Sequence, residues 1–186
     1  MTSGTRRPGR PRAISRDMLA EAACELFLEN GYDATSVTDI ATRAGIGRSS
    51  FFNYAATKAE LLWGGLDERL DGAERAVDDG RAPDAALRAV AEGLAPDALA
   101  LAITNAEAMR IERALAHEEA LRSWRVSRFV ARGLARQGED ALVAEVRAGA
   151  YGTALIAAIT AWAGSGAGAA PLESYLERAL DAVVAR

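Results

Sequence analysis

The sequence predicts an all-α protein, with a three-helix head carrying a helix-turn-helix and a body of about five to six further helices. Three observations lead there. Apolar residues recur at three- and four-residue spacings along most of the chain. No alternating β pattern occurs anywhere. The stretch from Ser36 to Lys58, SVTDIATRAGIGRSSFFNYAATK, puts small and apolar residues at the slots two steeply crossed helices need.

In order along the chain, Ser15 can cap a first helix reaching Asn30, with Leu19, Ala22 or Ala23, Leu26 and Phe27 as its apolar stripe and Gly31 just past its end. Thr35 or Ser36 caps the second, which runs to Arg43; Ile40 and Ala41 face inward, Ala44 closes it, and Gly45 makes the turn at no Cβ cost. Ile46 plugs the corner, and a third helix over 48–54 is anchored by Phe51 and Tyr54. Its outer side would then offer Arg48, Ser49, Ser50, Phe52 and Asn53, a set suited to a major groove. Thr57 and Glu60 read as a capping box opening a long fourth helix to Asp79, striped by Leu62, Leu66, Leu70 and Val77. Gly64-Gly65 inside it costs roughly 1 kcal/mol per glycine, which implies close backbone approach or room for a ligand. After a break at Gly80-Arg81-Ala82-Pro83, helices are expected over 84–94, 96–116, 118–137, 139–163 and 172–185.

Charge is distributed unevenly. The chain carries −4 overall, yet eight basic and six acidic side chains lie up to residue 58 and fourteen and twenty beyond it. Arg6, Arg7, Arg10, Arg12 and Arg16 precede the first acid, Asp17. Such an arm ahead of a helix-turn-helix suits DNA phosphates or the minor groove, although a plain solvated terminus has the same composition.

Cys24 is the single cysteine, so no internal disulfide can form; it reads as a buried small apolar residue in a reducing cytoplasm. No secretory leader is visible at the basic N-terminus. His117 is the single histidine and is assigned to helix-end capping. No Ser/His/Asp, Cys/His, phosphate-loop or GxGxxG constellation is present, so no catalytic set, metal site or cofactor is expected.

Residues 148–172 hold no charge, a 25-residue span that invites a membrane reading. Its bulk is Ala and Gly, and it is broken by Gly164-Ser165-Gly166-Ala167-Gly168 and Pro171, so a buried helix fits better. Ala150, Gly152, Ala154, Ala157, Ala158 and Ala161 permit close helix approach and, with 172–185, suggest a dimer seam. Arg122, Arg125, Arg128, Arg132 and Arg136 share one helix face: a solvated stripe or, with Arg110 and Arg113, a receiver for the phosphates of a nucleotide-bearing ligand such as an acyl-CoA.

From Arg16 to Leu62 the chain resembles the DNA-binding head of TetR-family transcriptional regulators, through CELF, NGYDATSVTDIATRAGIGRSSFFNY and Lys58-Ala-Glu-Leu61. RRPGRPR, FFNYAATKAELLWGGLDERL and the arginine-rich helix are similar to the branch with mycofactocin-system and acyl-CoA-responsive members. The resemblance implies a basic disordered arm over 1–15, a DNA-binding domain over 16–58 and a ligand-binding and dimerisation domain over 59–186. It further implies a cytoplasmic homodimer, without a membrane anchor, that binds double-stranded DNA and lets it go when a small hydrophobic effector, with acyl-CoA among the candidates, changes the spacing of the heads.

Position by position, the resemblance puts Thr35 and Ser36 on phosphates, Arg48 and Ser49 on bases with Ser50 in support, Asn53 and Tyr54 on backbone or bases, and Lys58 on a phosphate. Three positions depart from the pattern: Gly47 replaces a serine cap, Ala55 an aromatic, and Phe52 a frequent tyrosine. Family pockets are often lined by large apolar residues, here Trp63, Leu66, Met109, Ile111, Leu115, Trp124, Phe129, Tyr151, Leu155 and Trp162, for which plain core packing is the competing reading. Against a ligand-responsive regulator stand two other classes: an architectural DNA-binding protein without effector, and an all-α enzyme lacking any visible catalytic set.

Overall fold

The structure is a computed structural model that describes residues 15–166 and 169–184. Arg6, Arg7, Arg10 and Arg12 of the arm lie outside the described residues. Among the described residues the fold is helical without strands: α1 Arg16–Asn30, α2 Val37–Arg43, α3 Arg48–Phe51, a 3-10 turn Glu60–Trp63, α4 Gly64–Asp78, α5 Pro83–Ala91, α6 Ala98–Thr104, α7 Ala106–Met109, α8 Glu112–Arg136, α9 Ala141–Gly164 and α10 Leu172–Val184.

Capping chemistry sets many of these boundaries. The Ser15 hydroxyl accepts from the Met18 N–H and starts α1; Asp97 accepts from Leu99 and Ala100 N–H at α6, and Asp140 from Leu142 and Val143 N–H at α9. Pro83 occupies the first turn of α5, where its missing N–H costs no hydrogen bond. The expected helix over 96–116 is three pieces. Asn105 breaks it once, and Arg110, in the left-handed region at φ 53°, breaks it again before α8. His117 consequently lies inside α8, not at a helix end.

The fourth helix also departs from expectation. Thr57 accepts from the Glu60 N–H as foreseen, but the Glu60 carboxylate takes the Ala56 N–H, and the chain passes through a 3-10 turn before α4. A Cβ on Gly64 would stand 2.0 Å from the Arg16 Cδ. The missing side chain is therefore filled by Arg16, whose guanidinium donates to the Tyr54 carbonyl at 2.8 Å. Gly64 makes room for the chain itself rather than for a ligand.

In the body, α8 and α9 pack along their lengths, with α10 and α6 against α9 and α4 against both α5 and α8. Gly152 sets the α8–α9 approach: a Cβ there would meet the Ser123 carbonyl oxygen at 2.4 Å. Of the small residues assigned to a dimer seam, Gly152, Ala154 and Ala158 are buried within the chain, whereas Ala150, Ala157 and Ala161 face outward. The apolar stripe of α10 (Leu172, Leu176, Leu180) is likewise buried, in a helix packed against α5 and α9. In the segment 172–185 assigned to the seam, α10 thus spends its apolar stripe inside its own chain and leaves only its remaining face outward; residue 185 lies outside the described residues. By length and hydropathy α9 is long and apolar enough to cross a membrane, and 44% of its most apolar window is buried by its neighbours.

The arginine stripe resolves into ion pairs with an acidic stripe on α4. Arg122 pairs with Asp67 at 2.6 Å and with Glu118 on its own helix; Arg125 pairs with Asp71 and Glu74, Arg132 with Glu74 and Asp78, and Arg136 with Asp78. Arg136 also donates to the Val77 and Asp78 carbonyls at the C-terminus of α4. Arg128 alone turns to α9, 3.7 Å from Glu145. Arg128, Arg132 and Arg136 thus form a solvent-facing stripe held by acidic partners, and Arg122 and Arg125 are drawn further in. The outer pairs are solvent-screened and contribute little each. Arg122 differs: its side chain is 7% exposed, its guanidinium lies 4.6 Å from the centre of the Trp63 ring, and its two partners are both carboxylates.

Burial outweighs the Arg122 hydrogen bond at Asp67 and raises its carboxyl above the usual carboxylate range. Replacing Arg122 by Leu leaves Asp67 and Glu118 without their shared cation. It should cost about 3 kcal/mol of unfolding free energy at neutral pH, read from urea midpoints. A carboxyl raised in the folded state takes up protons on folding, so this penalty should shrink as the pH falls toward about 4. A pH-independent penalty would show that the carboxylates do not need Arg122. Separately, Gly152→Ala should cost about 1–3 kcal/mol by wedging α8 from α9.

Candidate nucleic-acid interface and cavities

The head is assembled from α1, α2 and α3 around Phe27, Ile40, Ala41 and Phe51, all buried. Ser36 caps α2 in a reciprocal capping box with Asp39, whose carboxyl is held below its ordinary range by those hydrogen bonds. Gly45, at φ 74°, makes the bend, and the Ile46 N–H closes it on the Ala41 carbonyl at 2.8 Å. Past Gly47, which provides no side-chain cap, α3 is a single turn; Phe52, Asn53 and Tyr54 continue as turns instead of the helix expected over 48–54. A chain without a capping hydroxyl at one end and heading for Ala55 at the other lacks the contacts that would extend the helix.

On the outer side, Arg48, Ser49, Phe52 and Asn53 are exposed and Ser50 is half-buried. The Arg48 guanidinium sits 5.5 Å from the centre of the Phe52 ring, so the phenylalanine that lacks a hydroxyl supports the arginine. Tyr54 is half-buried against the head's core.

The packing overturns the assignment of Thr35 and gives half-buried Lys58 partners inside the head. Thr35 is 2% exposed, and its hydroxyl donates inward to the Leu26 and Gly31 carbonyls, tying α1 to the start of α2. It has nothing left for a phosphate. Lys58 donates its ammonium to the Tyr32 and Thr35 carbonyls and lies 4.0 Å from the Tyr32 ring centre. Burial lowers its pKa. Sequence reasoning could not see either, because the acceptors are backbone carbonyls 4 to 26 residues away whose direction depends on how the α1–α2 loop folds.

The expected pocket residues do not converge either. Trp63, Leu66, Met109, Ile111, Leu115, Phe129, Tyr151 and Leu155 are buried core, whereas Trp124 is 66% exposed on the outer face of α8. An apolar cavity of about 320 Å³ lies instead between α6 and α9, lined by residues including Ala100, Leu101, Thr104, Trp162 and Ala163. Of the expected residues only Trp162 lines it. No signal in the sequence marks it; Asp97, the cap of α6, is among its lining residues. Arg110 and Arg113 border a separate cleft with Tyr32 and Asp33. Tyr151 borders a third, with Leu134, Arg147 and Val184. Cys24 is buried and burial pushes its thiol up to about 12, consistent with packing and not reactivity. Among the described residues no group of three or more His, Cys, Asp or Glu could hold a metal ion.

This architecture defines a class, a helical body surmounted by a helix-turn-helix head. Residues 19–62, the three helices of the head, match the family described as "Bacterial regulatory proteins, tetR family". The chain is 39% identical over 64 residues (34% of this chain, 32% of the relative) to the "Putative mycofactocin biosynthesis transcriptional regulator MftR" of Mycobacterium tuberculosis. It is 36% identical over 69 residues (37% of this chain, 32% of the relative) to the HTH-type transcriptional activator FasR of Mycolicibacterium smegmatis. These alignments span about a third of each curated relative's length. Over 91% of this chain and 93% of the other, the fold is similar to that of Thermus thermophilus FadR, a TetR-family transcriptional repressor solved in complex with lauroyl-CoA, at 27% identity and a TM-score of 0.53.

If Lys58 serves the fold, Lys58→Met should lower the thermal midpoint of the head, with a loss of about 1–3 kcal/mol. It should also leave unchanged the slope of log affinity against log salt for duplex DNA. A slope reduced by about one would mark Lys58 as a phosphate contact after all.

Proposed function

We propose that this protein is a ligand-responsive transcriptional regulator, most simply a repressor, that binds a near-palindromic operator as a homodimer in the cytoplasm. One observation carries the reading. Directly after a correctly capped α2 and a glycine bend, Arg48, Ser49 and Asn53 stand exposed on the outer side of the head, and Arg48 has no acidic partner among the described residues. An exposed, unpaired arginine at the start of the second helix of such a motif suits guanine O6/N7. Ser36 and Tyr54 flank it as supports toward the backbone, with Ser50 and Phe52 steadying the segment.

The domain division follows the same reading: a head to about residue 58, and beyond it a body for effector and partner. A small hydrophobic effector, with the acyl-CoA class favoured by the lauroyl-CoA complex of the similar FadR, would act on the α6–α9 side. Because α6 also packs against α1, a ligand spreading α6 from α9 would move the head. Dimerisation would use the outer faces of α8 and α9. Leu121, Trp124, Leu142, Val143 and Val146 are exposed there, beside a shallow groove of small residues including Ala120, Thr153 and Ala157.

Arg48→Ala should weaken binding to a duplex selected by the wild-type protein by about tenfold or more, measured by fluorescence anisotropy; unchanged affinity would remove α3 from the interface. Lauroyl-CoA should raise the thermal midpoint and release that duplex. Stabilisation by no acyl-CoA of any chain length would favour the architectural class instead. Val146→Glu combined with Trp124→Glu should yield a monomer in sedimentation equilibrium, with helical content unchanged.

A further inference from the structure

A second cleft, separate from the cavity between α6 and α9, lies where the head meets the body. It encloses about 450 Å³ and is lined by Tyr32 and Asp33 of the α1–α2 loop and by Arg110, Arg113, Ala114 and His117 leading into and along α8. The loop and the body are pinned together at its edge, where the Tyr32 N–H donates to the Met109 carbonyl at 2.7 Å.

Two features mark its arginines: both are unpaired and line one cleft, a state otherwise shared among the described residues of the body by scattered Arg75, Arg81 and Arg178, and one has an unusual backbone. The body's arginines are mostly committed: Arg122, Arg125, Arg132 and Arg136 to α4, Arg88 to Asp84 and Glu177, Arg147 to Glu139. The side chains of Arg110, Arg113 and His117, all exposed, have no hydrogen-bond or ion-pair partner among the described residues. Asp33 shares the cleft without coming within ion-pair distance of them.

The second feature is backbone geometry. Arg110 is the only non-glycine residue with positive φ among the described residues, at a helix end where glycine or asparagine would fit without strain. Its side chain then runs across Gly31, where a Cβ would lie 3.4 Å from the Arg110 Cδ. Gly31 is itself held at φ 83°. An arginine in a glycine's place, laid over a glycine that gives it room, puts an uncompensated guanidinium beside the head's loop.

We propose that this cleft binds a phosphate-bearing small molecule. Arg110 and Arg113 donate to its phosphate oxygens and His117 borders the same space. A ligand held this way bridges the α1–α2 loop and α8, and so adjusts how firmly the head is held to the body. The planar forks of two arginines without carboxylate partners suit bidentate phosphate contacts. The proposal is independent of the hydrophobic effector assigned to the α6–α9 cavity.

The single histidine makes the cleft observable, because the His117 ring gives the one imidazole signal of the chain. Inorganic pyrophosphate titrated at constant ionic strength should shift the His117 ring resonances saturably. Arg113→Ala should weaken that response about tenfold. Arg110→Gly should weaken it similarly while keeping or raising the thermal midpoint, since it relieves the left-handed strain. Arg178→Ala removes the same charge from an exposed position on α10 and should change nothing. The proposal fails if His117 does not respond, or if it responds equally in wild type and both cleft variants. It also fails if the cleft variants weaken duplex DNA binding while the pyrophosphate response persists, which would make the cleft a DNA backbone contact.

Discussion

The contact between Arg122 and its two carboxylates, closed over by Trp63, governs how this molecule is put together. Asp67 is on α4, the helix that leaves the head, and Glu118 is on α8, the longest helix of the body. A guanidinium taken out of water at that crossing is tolerated only with both partners in place, so the crossing can occupy few alternative positions. Outward from it, Arg125, Arg132 and Arg136 continue the same pairing along α4 in weaker, solvated steps. The buried pair fixes the place of contact and the exposed pairs align the helices beyond it. The Trp63 Nε1 and Arg122 Nε have no protein acceptor there, a cost that the ring–cation contact partly offsets.

The head meets this frame where the Tyr32 N–H donates to the Met109 carbonyl and α1 packs on α6 and α7, and it is closed on itself mainly through its own backbone carbonyls. Arg16 reaches through the space left by Gly64 to the Tyr54 carbonyl, and Lys58 reaches back to those of Tyr32 and Thr35. Short helices such as α2 and α3 leave many carbonyls and N–H groups without helical partners, and long basic side chains satisfy the carbonyls at a distance. This explains why basic residues that look ready for phosphate are turned inward, while Arg48, with a phenylalanine beneath it and no acid nearby, faces out.

Much of the architecture could be read from the chain directly. The caps at Ser15, Ser36 and Thr57, the bend at Gly45 and the inward positions of Ile40, Ala41 and Phe51 depend on neighbours within a few residues. The break at Arg110 could not be read, because nothing in the arginine's identity announces a left-handed conformation. The acidic partners of the arginine stripe were present at 67, 71, 74 and 78, but pairing two stripes requires knowing that α4 and α8 are neighbours.

The sequence by itself determined the helical class, the caps and bend of the head and the outward set at the start of α3. Helix periodicity, capping and turn chemistry act between residues less than about one heptad apart. Only the tertiary structure decided that Thr35 and Lys58 point inward, that Gly64 and Gly152 serve close packing, that the arginine stripe faces an acidic one, and that Trp124 stands in solvent while Trp63 is sealed in the core. Apart from Thr35, whose acceptors are four and nine residues back, each of these depends on a partner far along the chain. A side chain's direction and the burial of a charge are fixed only when the helices are brought together, and no local pattern encodes which surfaces will meet.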